Sequence, residues 1–340
     1  MDNSDNRHGG QIGLAASQFQ LSPDQILDLS TGINPHRYPL SAPPNRVWQC
    51  LPQVDDELVA SADRYYGGAG GLPVAGSQMA IGLLPRLIKS TCRVAVPAVG
   101  YAEHARAWCK AGHGVQFLSS QQLQDQWDEF DVVVVINPNN PTGEIFALQQ
   151  LLDWRESLAA KGGYLIVDEA FMDISPECSL VPFSHLPGLV VLRSLGKFFG
   201  LAGARVGFVY SDAAVRQQLQ EDMDPWPVNG PGRWVAQQAL SDIPWQDHTR
   251  RQLKQEQTRL VSLLASYGWY PSGGTALFQW VQGEKAQDLY LFLAQQGVLL
   301  RYFSHPSSVR IGLPGEPMHW QRLKQCLADY TRKTTTPCVE

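Results

Sequence analysis

The sequence predicts an open, mostly parallel α/β sheet in a large domain, followed by a smaller α+β unit. Three observations carry this. From about residue 55 to about residue 210, apolar strand-like runs alternate with amphipathic helical stretches. Three of the runs, "FDVVVVINP", "GYLIVDEAF" and "GLVVLRSL", are apolar almost without interruption, as in strands covered on both faces. The segment "DPWPVNGPG" (Asp224–Gly232) concentrates proline and glycine and marks a break, after which the pattern changes.

Taken in order, "HGGQIG" and "LDLSTGINPHRYPLSAPP" read as an irregular N-terminal arm, residues 1–45. "DDELVASADRYYG" and "GSQMAIGLLPRLIK" follow as helices, "CRVAVPAV" as a strand and "EHARAWCKAG" as a helix. The strand "FDVVVVINP" leads through the helix "LQQLLDWRESLAAKG", closed by Gly162, to the strands "GYLIVDEAF" and "GLVVLRSL". These make a large domain over residues 46–230. Residues 231–332 hold the long helix "WQDHTRRQLKQEQTRLVSLLASYG", the strands "TALFQWVQ", "VLLRYF" and "SVRIGL", and the helices "KAQDLYLFLAQQG" and "HWQRLKQCLADYTRK". Residues 333–340 read as a disordered tail.

Bulk properties narrow the function classes. The 340 residues are 44% hydrophobic, enough for a sizeable core, and carry a formal charge of −5. An acidic chain without a basic stripe argues against nucleic acid or an anionic membrane as partner. The six cysteines are scattered, with no CxxC and no His/Cys cluster, which points to reduced thiols in a cytoplasmic protein and to no metal site. The polar start lacks the apolar core of a signal peptide, and no apolar run approaches the roughly 20 residues of a membrane span.

Ligands of open parallel sheets bind at the carboxyl ends of the strands, and here those ends carry unusual residues. "DVVVVI" ends in "NPNNPTG", placing Asn137, Asn139 and Asn140 at the rim. "YLIVDEAF" brings Asp168, and "GLVVLRSL" leads into Ser194 and Lys197. "AGSQ" brings Ser77 and Gln78 to a helix start. Each has an ordinary reading: a turn, a satisfied buried carboxylate or helix cap, a capping motif, a solvated lysine. As a set they suit one ligand. Helix-start amides at Ser77 and Gln78, with the Ser194 hydroxyl and the Arg205 guanidinium, suit a phosphate. Asp168 suits a protonated pyridine nitrogen, Asn140 a ring oxygen, and Lys197 an aldehyde. That ligand is pyridoxal 5′-phosphate. A dinucleotide-binding dehydrogenase is disfavoured, because no GxGxxG follows the first strand.

The ordered set Asn140, Asp168, Lys197 and Arg205 resembles the signature of the fold-type-I pyridoxal-phosphate enzymes, the aspartate aminotransferase-like superfamily, over residues 8 to 330. Within it the chain is similar to the histidinol-phosphate aminotransferase group and, inside that group, to the enzymes that decarboxylate L-threonine O-3-phosphate. "HGG" (His8 to Gly10) with "LSTGINP", "DEAF" with Phe171 in place of a tyrosine, and "RSLGKFFGLAGARVG" carry the closer likeness. The resemblance implies a PLP-dependent transferase-like fold and a homodimer. It implies release of CO2 from threonine phosphate to give (R)-1-aminopropan-2-yl phosphate, the linker unit of cobalamin. The alternative is a histidinol-phosphate or aromatic aminotransferase.

The resemblance also assigns roles. His104, in "GYAEHARAW", would stack on the pyridine ring. Arg310 would take the substrate α-carboxylate, and Arg301 its phosphate, with His8, Gly9 and Asn34 beside them. Two features depart from the family pattern. Gly196 replaces the hydroxyl residue often found before the lysine. "CLPQ" (Cys50–Gln53) lacks the tyrosine that usually reaches the partner's phosphate, and Tyr65 and Tyr66 are not obvious replacements.

Overall fold

The computed structural model describes residues 8–53 and 57–335. The chain before His8, residues 54–56 at the start of the first predicted helix, and the stretch after Thr335 lie outside them. Two compact units result. One comprises residues 37–140 and 144–247. The other comprises the segment ending at His36, Pro141–Gly143, and the chain from His248 onward. The division falls at 247/248 rather than near 230, and the N-terminal segment belongs to the second unit instead of standing apart as an arm.

The first unit is built on seven strands: β1 (Leu72–Val74), β2 (Arg93–Pro97), β3 (Gly114–Leu118), β4 (Val132–Ile136), β5 (Tyr164–Asp168), β6 (Leu189–Ser194) and β7 (Gly207–Ser211). Their order is β1-β7-β6-β5-β4-β2-β3. Strands β2 to β6 run parallel, while β7 is antiparallel to both β6 and β1. The valine-rich run of β4 lies inside the sheet, between β5 and β2, with every residue buried. Alternate residues Val132 and Val134 join Val94, Val96, Ile166, Val190 and Leu192 in one apolar cluster with Ile81 and Trp108 from the covering helices. Val133, Val135, Leu165, Val167 and Val191 point the other way and are equally buried. Each such side chain contributes roughly 1.5–3 kcal/mol by leaving water, which is why the unbroken apolar runs were readable as central strands.

Strands β1 and β3 at the edges, and β7 beside β1, were not predicted as strands. β1 carries Pro73, tolerated because an edge strand has an unpaired side, and most of β3 is exposed. The predicted helix "GSQMAIGLLPRLIK" is shorter in the structure, Ser77–Leu83, and passes into a 3₁₀ turn at Leu84–Leu87. Pro85 cannot donate the hydrogen bond that would continue it.

The second unit contains a four-stranded antiparallel sheet of β8 (Gly273–Thr275), β9 (Phe278–Gln282), β10 (Arg301–Phe303) and β11 (Ser308–Gly312), in the order β10-β11-β9-β8. "TALFQWVQ" is thus two strands of a hairpin rather than one. "VLLRYF" is also divided: Val298–Leu299 pairs in parallel with Leu27–Asp28, and only Arg301–Phe303 enters the sheet. The last helix, Pro317–Thr335, runs into the stretch predicted as tail. No described helix is long and apolar enough to cross a membrane.

Candidate active site

Parallel pairing brings the carboxyl ends of β4, β5 and β6 side by side, with Ile136 opposite Asp168 and Asp168 opposite Leu192. A cavity of about 150 Å³ opens there. Seven of the eight residues predicted to hold the cofactor line it: Ser77, Gln78, Asn140, Asp168, Ser194, Lys197 and Arg205. Of the rim asparagines, Asn140 reaches the cavity. Asn137 and Asn139 brace the loop instead. Asn137 Oδ1 accepts from Phe146 N at 2.9 Å, and Asn139 Nδ2 donates to the Val99 carbonyl at 2.8 Å.

His104 is the exception. It is 1% exposed, does not line the cavity, and shares a hydrogen bond of 2.9 Å between its Nε2 and Asp168 Oδ2. Its Nδ1 is buried without a hydrogen-bond partner. Aromatic rings on the wall come from Phe171 and from Tyr101, the latter three residues earlier and edge-on to His104, with centroids 6.3 Å apart. The stacking expectation placed on His104 therefore does not match its position.

Asp168 is held twice, by His104 and by Ala170 N, which donates to Oδ1 at 3.1 Å. Tyr101 donates its hydroxyl to Gln78 Oε1 at 2.9 Å, and burial, with Asp168 nearby, pushes the Tyr101 phenol up to about 12. Lys197 Nζ lies 5.4 Å from the centroid of the Phe171 ring, and Phe171 is 3% exposed.

A phosphate cradle is legible in the backbone. Gly76 has φ +73°, and a Cβ there would come 2.5 Å from Arg205 Nη2. Arg205 itself adopts φ 54° and ψ 54°, the left-handed region, at a cost of about 1–3 kcal/mol. Arg205 lines the cavity together with Ser194, a cation and a hydroxyl residue that suit an anion. The residues fit pyridoxal 5′-phosphate: cradle, buried braced carboxylate and a lysine on one wall. Among the described residues, no group of His, Cys, Asp or Glu is suited to a metal ion.

In the second unit, Arg301 and Arg310 are direct cross-strand partners, so their side chains share a face. Arg310 is 5% exposed and donates from Nη2 to the Ser30 carbonyl. Burial and the neighbouring Arg301 cation hold the Arg310 guanidinium well below its ordinary range, down to about 9. Burial lowers Arg301 as well. His8, Gly9 and Arg301 line one small cavity with Ser30. Gly10 N donates to Ser30 Oγ at 2.8 Å. A Cβ on Gly9 would meet the Ser30 carbonyl at 2.4 Å, which explains the small residue there. Asn34 is buried, and its Oδ1 accepts from His36 N at 2.8 Å, a local turn. Ser30 was not singled out beforehand, and nothing in its type distinguishes it in the sequence.

Tyr65 and Tyr66 are engaged inside the first unit. Tyr65 donates to Asp173 Oδ1 at 3.0 Å, and the Tyr66 ring lies under the Arg193 guanidinium at 4.4 Å.

Residues 69–323 match the family model for aminotransferase class I and II. The chain belongs to that family. Within the class I and II aminotransferase family it is similar to a threonine-phosphate decarboxylase of Pseudomonas aeruginosa, 46% identical over 95% of this chain and 97% of that protein. It is also similar to a threonine-phosphate decarboxylase of Sinorhizobium sp, 38% identical over 94% of this chain and 97% of the relative. Among solved structures, the histidinol-phosphate aminotransferase from Clostridium acetobutylicum shares the fold, with a TM-score of 0.79 at 21% identity, covering 91% of this chain and all of that one. The predicted α/β fold class of this family is borne out.

Proposed function

We propose that this chain is a pyridoxal 5′-phosphate-dependent decarboxylase of L-threonine O-3-phosphate, releasing CO2 and (R)-1-aminopropan-2-yl phosphate, the linker unit of cobalamin. The observation that carries this is the near-full-length likeness to a decarboxylase of that name, at 46% identity. The facing arginines of the second unit support it. A buried and a half-buried cation on one face suit a substrate with two anionic groups, a carboxylate and a phosphate.

When bound, pyridoxal phosphate supplies an electron-poor ring that takes up the electron pair of the breaking Cα–carboxylate bond. Asp168, braced by His104 and Ala170 N, is placed to keep the ring nitrogen protonated. In this reading Arg205 and Ser194 hold the cofactor phosphate, Asn140 the ring oxygen, and Tyr101 packs on a ring face. Lys197 Nζ is the amine that holds the aldehyde and carries a proton to substrate Cα. Arg310 and Arg301 anchor the substrate's carboxylate and phosphate.

We read the working form as a cytoplasmic homodimer. The exposed Trp48, Leu51 and Trp226 of the first unit offer apolar surface for a second copy, and light scattering on the purified chain tests this.

The deciding assay supplies threonine phosphate alone and measures CO2. Release at the wild-type rate, lost by roughly 10⁴-fold in Lys197→Ala, is expected. Glutamate formed from histidinol phosphate and 2-oxoglutarate, with no CO2 from threonine phosphate, overturns the reading in favour of an aminotransferase.

A further inference from the structure

Behind the cavity lies a buried charge cluster that the proposed chemistry does not use. Along β5 and β6 successive side chains face opposite sides of the sheet. Asp168 and Ser194 line the cavity, so their chain neighbours Glu169 and Arg193 point to the opposite side. There Arg193 Nη1 lies 2.8 Å from Glu169 Oε2, and Nη2 lies 2.9 Å from Asp173 Oδ1. All three side chains are at most 1% exposed.

The cluster is closed by further donors. Ser179 Oγ donates to Glu169 Oε2 at 2.5 Å, and Leu180 N to Oε1 at 2.7 Å. Tyr65 reaches Asp173 Oδ1, and the Tyr66 ring packs on the guanidinium. The two carboxylates bracket the segment 169–173, from which Ala170 and Phe171 line the cavity, and Asp168 immediately precedes it on the same wall. The guanidinium belongs to the strand that leads into Ser194 and Lys197. One planar fork thus ties together the two walls that carry the acid, the lysine and the phosphate-facing serine.

We propose that Arg193 is a positioning residue for the bound cofactor, fixing the wall that bears Asp168 and Phe171 relative to the strand that bears Ser194 and Lys197. This rests on the pyridoxal phosphate reading above. It does not depend on which Cα bond breaks. Arg193→Lys keeps the charge and loses the fork. Tyr65→Phe removes only one hydrogen bond to Asp173 and keeps the cluster, so it serves if the lysine variant does not fold.

The experiment uses the full chain loaded with pyridoxal phosphate. It follows cofactor dissociation, the visible circular dichroism of the bound cofactor, and kcat and KM separately. For Arg193→Lys, dissociation about tenfold faster, weaker visible dichroism and a kcat about tenfold lower at near-constant KM are expected. Tyr65→Phe shifts the same readouts in the same direction by about twofold. Variants that melt earlier yet keep wild-type dichroism, dissociation and kcat overturn the proposal and leave Arg193 a structural clamp. A wild-type chain that takes up no pyridoxal phosphate overturns the cofactor reading with it. Glutamate production by the wild type overturns only the proposed reaction.

Discussion

Arg193 in the first unit and Arg310 in the second are both strand arginines, 1% and 5% exposed. Burial costs each about the same in lost hydration, and their surroundings answer that cost in opposite ways. Arg193 lies between Glu169 and Asp173, and those carboxylates push its proton affinity above the ordinary arginine range despite burial. Arg310 has a second arginine directly across the ladder and a carbonyl at its tip, and its proton affinity falls. A buried cation between anions holds protein to protein. Beside Arg310 the Asp28 carboxylate works in the other direction, but burial and the second arginine outweigh it.

The largest test of this contrast is Arg193→Met. It leaves two carboxylates buried without their shared cation, and unfolding free energy should drop by about 3–5 kcal/mol, measured by denaturant titration. A drop under about 1 kcal/mol breaks the contrast. Next is Arg310→Met, which removes a desolvated cation that stands beside a second arginine. Stability should stay within about 1 kcal/mol of wild type or rise, while kcat/KM for threonine phosphate falls by about a hundredfold. Inorganic phosphate should raise the melting temperature of the wild type by more than that of Arg301→Met, whose cation is assigned to the substrate phosphate.

The smallest test uses a group whose shift is caused first by burial. Cys92 is 7% exposed, and burial followed by Asp131 pushes its thiol up to about 11. The folded state therefore holds the proton more tightly than the unfolded chain. Stability should decline slightly as pH rises from about 9 to about 11, and be insensitive to this group below that window. At pH 8 alkylation should modify the exposed Cys50 and Cys109 well before Cys92, read by mass spectrometry.

The same contrast explains what was legible in the sequence. Residues that face the cavity stand at the ends of strands whose runs are plainly apolar, so Asp168, Ser194 and Lys197 could be found from position alone. Edge strands β1 and β3 gave no such signal, because a half-exposed strand has no unbroken apolar run. That His104 sits behind the wall could not be read, because its partner in space, Asp168, is 64 positions away. Arg193 and Glu169 escaped notice for a related reason: each adjoins a conspicuous residue, and only the pleat shows that it faces the other way. The pairing of Arg301 with Arg310 needed the register of β10 on β11.

The alternation along β5 and β6 has a consequence for mutational scanning. A library covering positions 168, 169, 193 and 194, sorted once for cellular abundance and once for catalysis, should separate into interleaved classes. Odd-numbered sites would fail the first sort and even-numbered ones only the second, so inheritance of the support and of the chemistry could be traced one residue apart.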